Sequence, residues 1–191
     1  KSLLFDNNLI NLNGNEFVKG YFQTEKYFLE IRDILIDQFT LQKDHSDSTL
    51  LFSKEIKSHP NSCSVHIRRG DYISDKKANS VHGICDLNYY NKAINLINEK
   101  FENIHFFVFS DDIEWTKKNL KINKATYIEH ICMPHEDMFL MSLCKHNITA
   151  NSSFSWWGAW LNQNKKKTVV APKKWFINKE NEVASKDWIK L

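Results

Sequence analysis

The sequence predicts an α/β fold with a doubly wound parallel sheet, and two observations support this prediction. From about residue 62 onward, short apolar runs alternate with helical patterns. Strand–helix alternation at this spacing is typical of parallel sheets with right-handed crossovers. Several of the apolar runs also end in Arg, Asp or Ser, and polar side chains are expected at the carboxyl edge of an open sheet that binds a ligand.

The residues before this region are predicted to form a separate helical part. The segment 20–41 contains an amphipathic helix, because Phe28, Ile31 and Leu35 fall on one face. The polar run Lys43–Ser48 interrupts that pattern, and we predict a linker there. At 191 residues the chain has the length of one ordinary domain, or of one domain with an appendage.

Strands and helices alternate through the rest of the chain. The five predicted strands are short apolar runs bounded by polar or turn residues. They are Ser62–Ile67, Ile104–Phe109, Ala125–Ile128, His146–Thr149 and Thr168–Ala171. Four helices are predicted between them, and Asp86 is the expected N-cap of the first. These helices cover Leu87–Phe101, Ile113–Asn119, Glu136–Lys145 and Phe154–Asn162.

Composition narrows the class of protein. A hydrophobic content of 42% with 26% charged residues is ordinary for a soluble globular protein, and a net charge of +3 is too weak to indicate nucleic acid as a partner. No apolar stretch reaches the length of a transmembrane segment, and the amino end has no signal-peptide pattern. The four widely spaced cysteines predict free thiols in a reducing compartment. We therefore expect a cytoplasmic protein, peripheral at most at the inner face of a membrane.

Two adjacent arginines, Arg68 and Arg69, follow the first predicted strand. Gly70 is expected to supply the unusual backbone angles of the turn that leaves the sheet. Arginine presents a planar, permanently charged set of donors that suits phosphate oxygens. Two readings stay open for this motif, since the arginines could bind a phosphate or form a surface pair neutralised by Asp71.

The second motif is the apolar run Phe106–Phe109, which ends in Ser110, Asp111 and Asp112. A buried parallel strand has this pattern, and an aspartate at its carboxyl end can bind a ribose or a base edge. The alternative is that the two aspartates cap the helix that begins at Ile113. Metal binding is less favoured, because no further acidic cluster is nearby in the sequence.

The third motif is the serine-rich segment that follows the fourth predicted strand and opens the tryptophan-rich helix. Ser152 and Ser153 stand at this helix start, where N–H groups and hydroxyls together can bind an anion. The alternative is a serine N-cap on a core helix. The two readings are compatible, because one turn can cap a helix and bind a phosphate.

Asp137 lies on an otherwise apolar helix, where a carboxylate is costly unless it is paired. Its place near the helix N-terminus is one explanation, and recognition of the N–H edge of a guanine is another. Taken together, the strand ends present Arg, Asp and Ser to one edge of the sheet. This arrangement suits a nucleoside diphosphate held by arginines and helix N–H groups rather than by a metal.

These segments resemble the signature motifs of the bacterial α-1,2-fucosyltransferases. One motif would be weak evidence, but six occur in the family's order and extend through nearly the whole chain. They are Gly20–Gln23, His66–Tyr72, Gly83–Asp86 with Tyr89 and Tyr90, Phe107–Asp112, Asn151–Trp157 and Ala171–Trp175.

The resemblance implies an enzyme that transfers L-fucose from GDP-fucose to a sugar hydroxyl in α-1,2 linkage, with inversion and without a metal. It implies a Rossmann-like domain similar to the C-terminal, donor-binding half of a two-Rossmann-domain (GT-B type) glycosyltransferase. We assign that domain to residues 56–191, and the helical N-terminal segment and inter-domain linker to residues 1–55. The family's glycine-rich opening segment has no match here, so the acceptor side is expected to lie outside this polypeptide, and the catalytic base could lie there as well.

The resemblance also implies roles for individual residues. Arg68 and Arg69 would stabilise the charge that develops on the leaving diphosphate. Asp71 is a candidate base for the acceptor hydroxyl, although pairing with an arginine would weaken that role. His66 is expected to orient the loop or contact phosphate, Asp137 to bind guanine, and Asp111 to position the nucleoside. The predicted donor site comprises His66, Arg68, Arg69, Asp111, Asp137, Ser152, Ser153 and Phe154, with no metal ligand.

Two other functions stay open from the sequence. One is a binding module that holds GDP or GDP-fucose without transferring the sugar. The other is a structural or interaction domain without a ligand. By analogy with the family, the expected acceptor is a galactose-containing oligosaccharide or a unit of a surface polysaccharide.

Overall fold

A computed structural model describes residues 4–39, 45–129 and 133–191, apart from the side chains of Asp71 and Ala78. Within these ranges, six strands form one parallel sheet in the order β3-β2-β1-β4-β5-β6. The strands are β1 (Ser62–Ile67), β2 (His105–Ser110), β3 (Ala125–Tyr127), β4 (His146–Ile148), β5 (Val169–Ala171) and β6 (Ile189–Lys190).

This strand order is that of a Rossmann fold, so the predicted doubly wound parallel sheet is confirmed. β1 lies at the centre, with β2 on one side and β4 on the other. The chain reverses its direction of travel across the sheet between β1 and β4, and ligands bind at this switch point in open α/β sheets. The five predicted strands are all present, and β6 was not predicted because two residues carry no periodic signal.

Eight α-helices flank the sheet in the described part of the chain. They are α1 (Arg32–Gln38), α2 (Asp47–Ser58), α3 (Gly70–Ser74), α4 (Lys76–His82), α5 (Leu87–Lys100), α6 (Ile113–Asn119), α7 (Pro134–Leu143) and α8 (Ser153–Leu161). The predicted cap of α5 is confirmed, because Asp86 Oδ1 accepts a hydrogen bond from the Tyr89 N–H at 2.8 Å.

The N-terminal prediction needs two corrections. The amphipathic pattern in 20–41 forms two short 3-10 turns, Glu25–Tyr27 and Leu29–Ile31, and continues as α-helix only in α1. The predicted linker is wrong at its end, because Ser46 caps α2 by accepting the Thr49 N–H at 3.3 Å. The capping Ser46 and the polar residues Asp47 and Ser48 after it made this helix start resemble a polar loop. The first part of that linker, through residue 44, lies outside the described residues.

The two faces of the sheet are covered by different helices. Residues of β1 and β2 alternate, so that Val65 and Val108 pack with α5 on one face while Phe107 and Phe109 face α2 and α7 on the other. Beside the second group, the tryptophans of α8 pack against β5. Burial on both faces explains why these strands read as nearly continuous apolar runs.

The N-terminal segment is fixed to α8. The Phe28 ring stacks on Trp157 with centroids 5.4 Å apart, and Glu25 Oε2 accepts the Trp160 Nε1–H at 3.0 Å. Helix α2 includes residue 55, and its Ile56 is buried in the core. The division of the chain into residues 1–55 and 56–191 stays a prediction. None of the described helices is both long and apolar enough to cross a membrane.

Candidate functional site

A cavity of about 610 Å³ opens at the carboxyl edge of the sheet, at the switch point between β1 and β4. Its walls come from the segments that follow β1, β2, β4 and β5 and from the start of α7. Seven of the eight residues predicted to form the donor site line it. They are His66, Arg68, Asp111, Asp137, Ser152, Ser153 and Phe154.

The loop after β1 is held by Asp111 at the end of β2. Arg68 Nη1 lies 3.0 Å from Asp111 Oδ2, and the backbone N–H of Arg69 donates to Oδ1 of the same carboxylate at 2.8 Å. The register of the two strands pairs Ile67 with Ser110, which brings the two strand exits side by side. Asp111 therefore fixes the position of the Arg68 guanidinium at the cavity wall.

Gly70 is required at this turn because of a close approach. A Cβ atom on Gly70 would lie 2.8 Å from Asp111 Oδ2, well inside van der Waals contact. The predicted need for unusual backbone angles is wrong, since positive φ values among the glycines occur only at Gly14 and Gly83. The absence of a side chain, rather than backbone freedom, is what this position uses.

Arg69 is directed away from the cavity. Its Cζ lies 3.3 Å from the centroid of the Trp115 ring, and its Nε lies 3.4 Å from Asp112 Oδ2. Asp112 also accepts the Trp115 N–H at 3.2 Å, which confirms the capping interpretation for this aspartate. Arg69 thus touches the predicted donor site only through its backbone N–H to Asp111, and its guanidinium ties the β1 exit to α6.

His66 is a buried, neutral imidazole in the cavity wall. It is 4% exposed, and its ring lies 5.5 Å from that of Phe154. Burial, followed by the charge of Arg68, lowers the pKa of His66 to about 3. Within the described residues, Nδ1 of this ring has no hydrogen-bond partner. A buried polar atom without a partner is costly, and His66 lines the cavity in which a bound molecule would supply that partner.

The start of α8 lacks the serine cap that the sequence suggested. Ser152 occupies the N-cap position, but its side chain makes no capping hydrogen bond. Ser155 closes the turn instead, because its Oγ accepts the Ala150 N–H at 3.2 Å. The first-turn N–H groups therefore have no capping side chain, and the Ser152 and Ser153 side chains line the cavity beside them.

Asp137 lies in the first turn of α7 and faces the same cavity. Burial, followed by the negative charge of Glu136, raises the pKa of Asp137 to about 6. Glu136 itself points elsewhere, since its Oε1 accepts the Ser46 N–H at 2.8 Å and so anchors α2. Asp137 lies both near the N-terminus of α7 and at the cavity wall, so the two explanations offered for this residue do not exclude each other.

Asn151 is a positioning residue that the sequence analysis did not single out. Its side-chain Nδ2 donates to the backbone carbonyls of His82, Gly83 and Trp175, at 2.8, 3.3 and 3.5 Å. It joins three chain segments at the rim of the cavity. A signal existed in the sequence, because Asn151 is the first residue of the motif Asn151–Trp157 at the exit of a predicted strand.

Two further predictions concern the base and metals. Asp71 is a residue of α3, but its side chain is not among the parts that the structure describes. Its catalytic role therefore stays a prediction. Among the described residues, one group of three potential metal ligands comes together, and it is Glu55, His59 and His105. His105 is the first residue of β2, so this group lies at the edge of the sheet opposite the cavity.

Comparison with known proteins identifies the family. The profile described as Glycosyl transferase family 11 matches residues 4–191, so the chain belongs to this family. This confirms the resemblance drawn from the six motifs.

Three curated relatives are typical. An alpha-1,2-colitosyltransferase of Escherichia coli is 44% identical over 169 residues, which cover 86% of this chain and 57% of that protein. The O-antigen biosynthesis glycosyltransferase WbnK of Escherichia coli is 38% identical over 90% of this chain and 59% of its own length. Galactoside alpha-(1,2)-fucosyltransferase 2 of Rattus norvegicus is 24% identical over 74% of this chain and 42% of its own length.

The chain thus spans less than two thirds of the length of these relatives. Among solved structures, the alpha-1,6-fucosyltransferase NodZ soaked with GDP-fucose is similar, with a TM-score of 0.40 and 14% identity. That similarity covers 72% of this chain and 59% of NodZ.

The contact between Gly70 and Asp111 gives a first testable prediction. We expect Gly70→Ala to lower the free energy of unfolding by about 1–3 kcal/mol, because the added methyl must displace the carboxylate. In an Asp111→Ala background the same substitution should cost much less, since the atom that it meets is gone. Denaturant unfolding of the four proteins measures this coupling.

Gly20→Ala is the matched control, because a Cβ there meets only Phe22 ring atoms at 3.4 Å or more. An equal cost of Gly70→Ala in both backgrounds would show that the close approach is not what requires glycine.

Proposed function

We propose that this chain contains the donor-binding half of an inverting α-1,2-fucosyltransferase, which moves L-fucose from GDP-fucose to a sugar hydroxyl. One observation carries the proposal: seven of the eight residues chosen from the motifs line a single cavity at the switch point of a Rossmann sheet. Residues 56–191 would be the Rossmann-like domain, and residues 1–55 the helical segment that packs on it.

Arg68 and the start of α8 suit a diphosphate. A guanidinium makes short, charge-assisted hydrogen bonds to phosphate oxygens, and helix N-termini favour anions. The side chains of Ser152 and Ser153 add hydroxyl donors, and the unpartnered Nδ1 of His66 adds a further polar contact. These groups would meet the charge of the leaving diphosphate without a metal ion. Asp111 would act by holding Arg68 rather than by touching the nucleoside.

Asp137 suits the guanine. An ionised carboxylate accepts two hydrogen bonds, which matches the adjacent N–H donors on one edge of that base. The pKa of about 6 supports this role, because the group is buried at a place where a ligand with N–H donors would stabilise its charge. Its position at the start of α7 would put the nucleoside on the β2 side of the phosphates.

The transfer would be an in-line displacement at the anomeric carbon of the β-linked donor. The bond from that carbon to the diphosphate oxygen breaks, and the electron pair leaves with GDP. The acceptor hydroxyl attacks from the opposite face, forms the new α-linkage and gives its proton to a base. Asp71 is the candidate base on this chain, and a second domain is the alternative source.

A binding module that holds the donor without transferring the sugar is the second candidate. It is favoured by one observation, that the chain spans only 57% and 59% of its two bacterial relatives. A turnover assay separates the two, since a module binds GDP-fucose and releases no fucosylated product. Because one relative is a colitosyltransferase, colitose, a 3,6-dideoxy sugar, is also a candidate for the donated group.

Acceptor and location complete the proposal. We propose a galactose-containing oligosaccharide or a surface polysaccharide unit as acceptor, in line with the names of the relatives. The free thiols of Cys63, Cys85 and Cys144 support a reducing compartment, and we propose the cytoplasm, with the protein peripheral at the inner face of the membrane.

The first test compares the two neighbouring arginines. We expect Arg68→Ala to weaken GDP binding by roughly tenfold to a hundredfold in calorimetry, because charge-assisted hydrogen bonds to phosphate are lost. Arg69→Ala should retain most of the GDP affinity and instead lower the melting temperature, since its guanidinium packs on Trp115. GDP affinity that is unchanged in Arg68→Ala, with circular dichroism intact, would refute the phosphate site.

The second test uses the titration of Asp137. The pKa is raised above its ordinary value of 3.8 to about 6, so the carboxylate is protonated as pH falls through about 6 and GDP binding should weaken there. In the ligand-free protein the free energy of unfolding should fall as pH rises from about 4 through 6, because the folded state favours the protonated carboxyl and the ionised form destabilises the fold.

Asp137→Asn should therefore weaken GDP binding at pH 7 and flatten its pH dependence. It should also stabilise the ligand-free protein by about 1 kcal/mol, after allowance for solvent screening. Calorimetry and thermal unfolding measure the two effects, with the exposed Asp187→Asn as matched control. If Asp137→Asn binds GDP as well as the unsubstituted protein, the guanine assignment is wrong.

A further inference from the structure

The cavity extends beyond the residues assigned to GDP. The inference drawn from this extension rests on the proposed function. It spans the ends of β2, β1, β4 and β5, which are three strand spacings, or about 14 Å, from first to last. With guanine at Asp137 on the β2 side and the diphosphate at Arg68 and α8, the β5 side is left for the sugar. Trp175, which follows β5, lines the cavity together with His82 and Gln23, and the N-terminal segment packs through Phe28 into the same hydrophobic cluster as Trp175.

Gln23 reaches this end from the N-terminal segment and is held firmly there. Thr24, the next residue, is 3% exposed, and the turn after it is fixed by the bond from Trp160 to Glu25 and by the stacking of Phe28 on Trp157. The Gln23 amide is thus presented to the cavity by a segment anchored on α8, which limits the side-chain freedom that a ligand contact would remove.

The amide oxygen of Gln23 is the feature that calls for a ligand. Oε1 is buried, and within the described residues no donor reaches it. Two other polar groups of the cavity wall are used by the protein, because the Asn151 amide donates to three backbone carbonyls and the Tyr72 hydroxyl donates to the Asn151 carbonyl at 3.2 Å. A buried carbonyl oxygen without a donor is destabilising by about 1–3 kcal/mol unless a bound molecule supplies one.

We propose that Gln23 accepts a hydrogen bond from a ring hydroxyl of the donor sugar and is a specificity-determining residue. An amide oxygen is repelled by phosphate oxygens and lies away from the guanine end, so a hydroxyl is the donor that fits. A site built to bind a hydroxyl discriminates strongly against the analogue that lacks it, because its own polar atom is left without a partner. Colitose is L-fucose without the 3-hydroxyl, so this contact would help to determine which of the two sugars is bound.

Calorimetry with GDP and with GDP-fucose tests the proposal. Gln23→Met has nearly the same shape but no amide, and Gln163→Met makes the same change at an exposed glutamine outside this cavity. We expect Gln23→Met to leave GDP affinity unchanged and to weaken GDP-fucose binding roughly tenfold, since one hydrogen bond to the sugar is lost. Gln163→Met should change neither. GDP-colitose, which lacks the 3-hydroxyl, then identifies the group bound. If Gln23 binds the 2- or 4-hydroxyl, Gln23→Met should weaken GDP-colitose binding as much as GDP-fucose binding. If Gln23 binds the 3-hydroxyl, Gln23→Met should leave the affinity for GDP-colitose unchanged.

Two results would overturn the proposal. Equal losses of GDP and GDP-fucose affinity in Gln23→Met would place the residue outside the sugar end, and no loss for either ligand would remove it from the site. Failure of the proposed function is distinguishable from both, because the unsubstituted protein would then bind no GDP at all.

Discussion

The Asp111 carboxylate is the contact on which the site depends. It accepts the Arg69 backbone N–H with one oxygen and pairs with the Arg68 guanidinium through the other. The parallel register of β1 and β2 brings these groups together, and the missing side chain of Gly70 lets the carboxylate approach. Without this contact the Arg68 guanidinium would lose a charged partner at the strand exit, where it also lies over the Tyr72 ring, 5.8 Å from the ring centroid.

Around this contact, several polar groups in the described part of the chain are left without protein partners at the carboxyl edge of the sheet. Nδ1 of His66, Oε1 of Gln23 and the uncapped start of α8 all border the same cavity, and Asp137 is buried enough to shift its pKa upward. Each of these is unfavourable in the empty protein. Their convergence has a common physical explanation if a ligand with phosphate oxygens, N–H groups and hydroxyls completes them.

The sequence predicted those site residues whose positions follow directly from strand order. Arg68, Asp111 and Ser152 could be assigned because the carboxyl ends of parallel strands must share an edge. It could not show that Arg69 turns to Trp115, since adjacent residues in an exit loop have no fixed periodicity. Asn151 and Gln23 were missed as site residues for a related reason, because their partners lie in segments distant along the chain.

The central claim is that this chain by itself forms a nucleotide site at the β1–β4 switch point. The most direct measurement is a titration of GDP into the isotope-labelled chain, followed residue by residue by NMR. Saturable shifts should appear at the amides of 66–70 and 151–155 and in the His66 ring. No shifts at high GDP concentration, or shifts confined to residues away from this edge of the sheet, would contradict the claim.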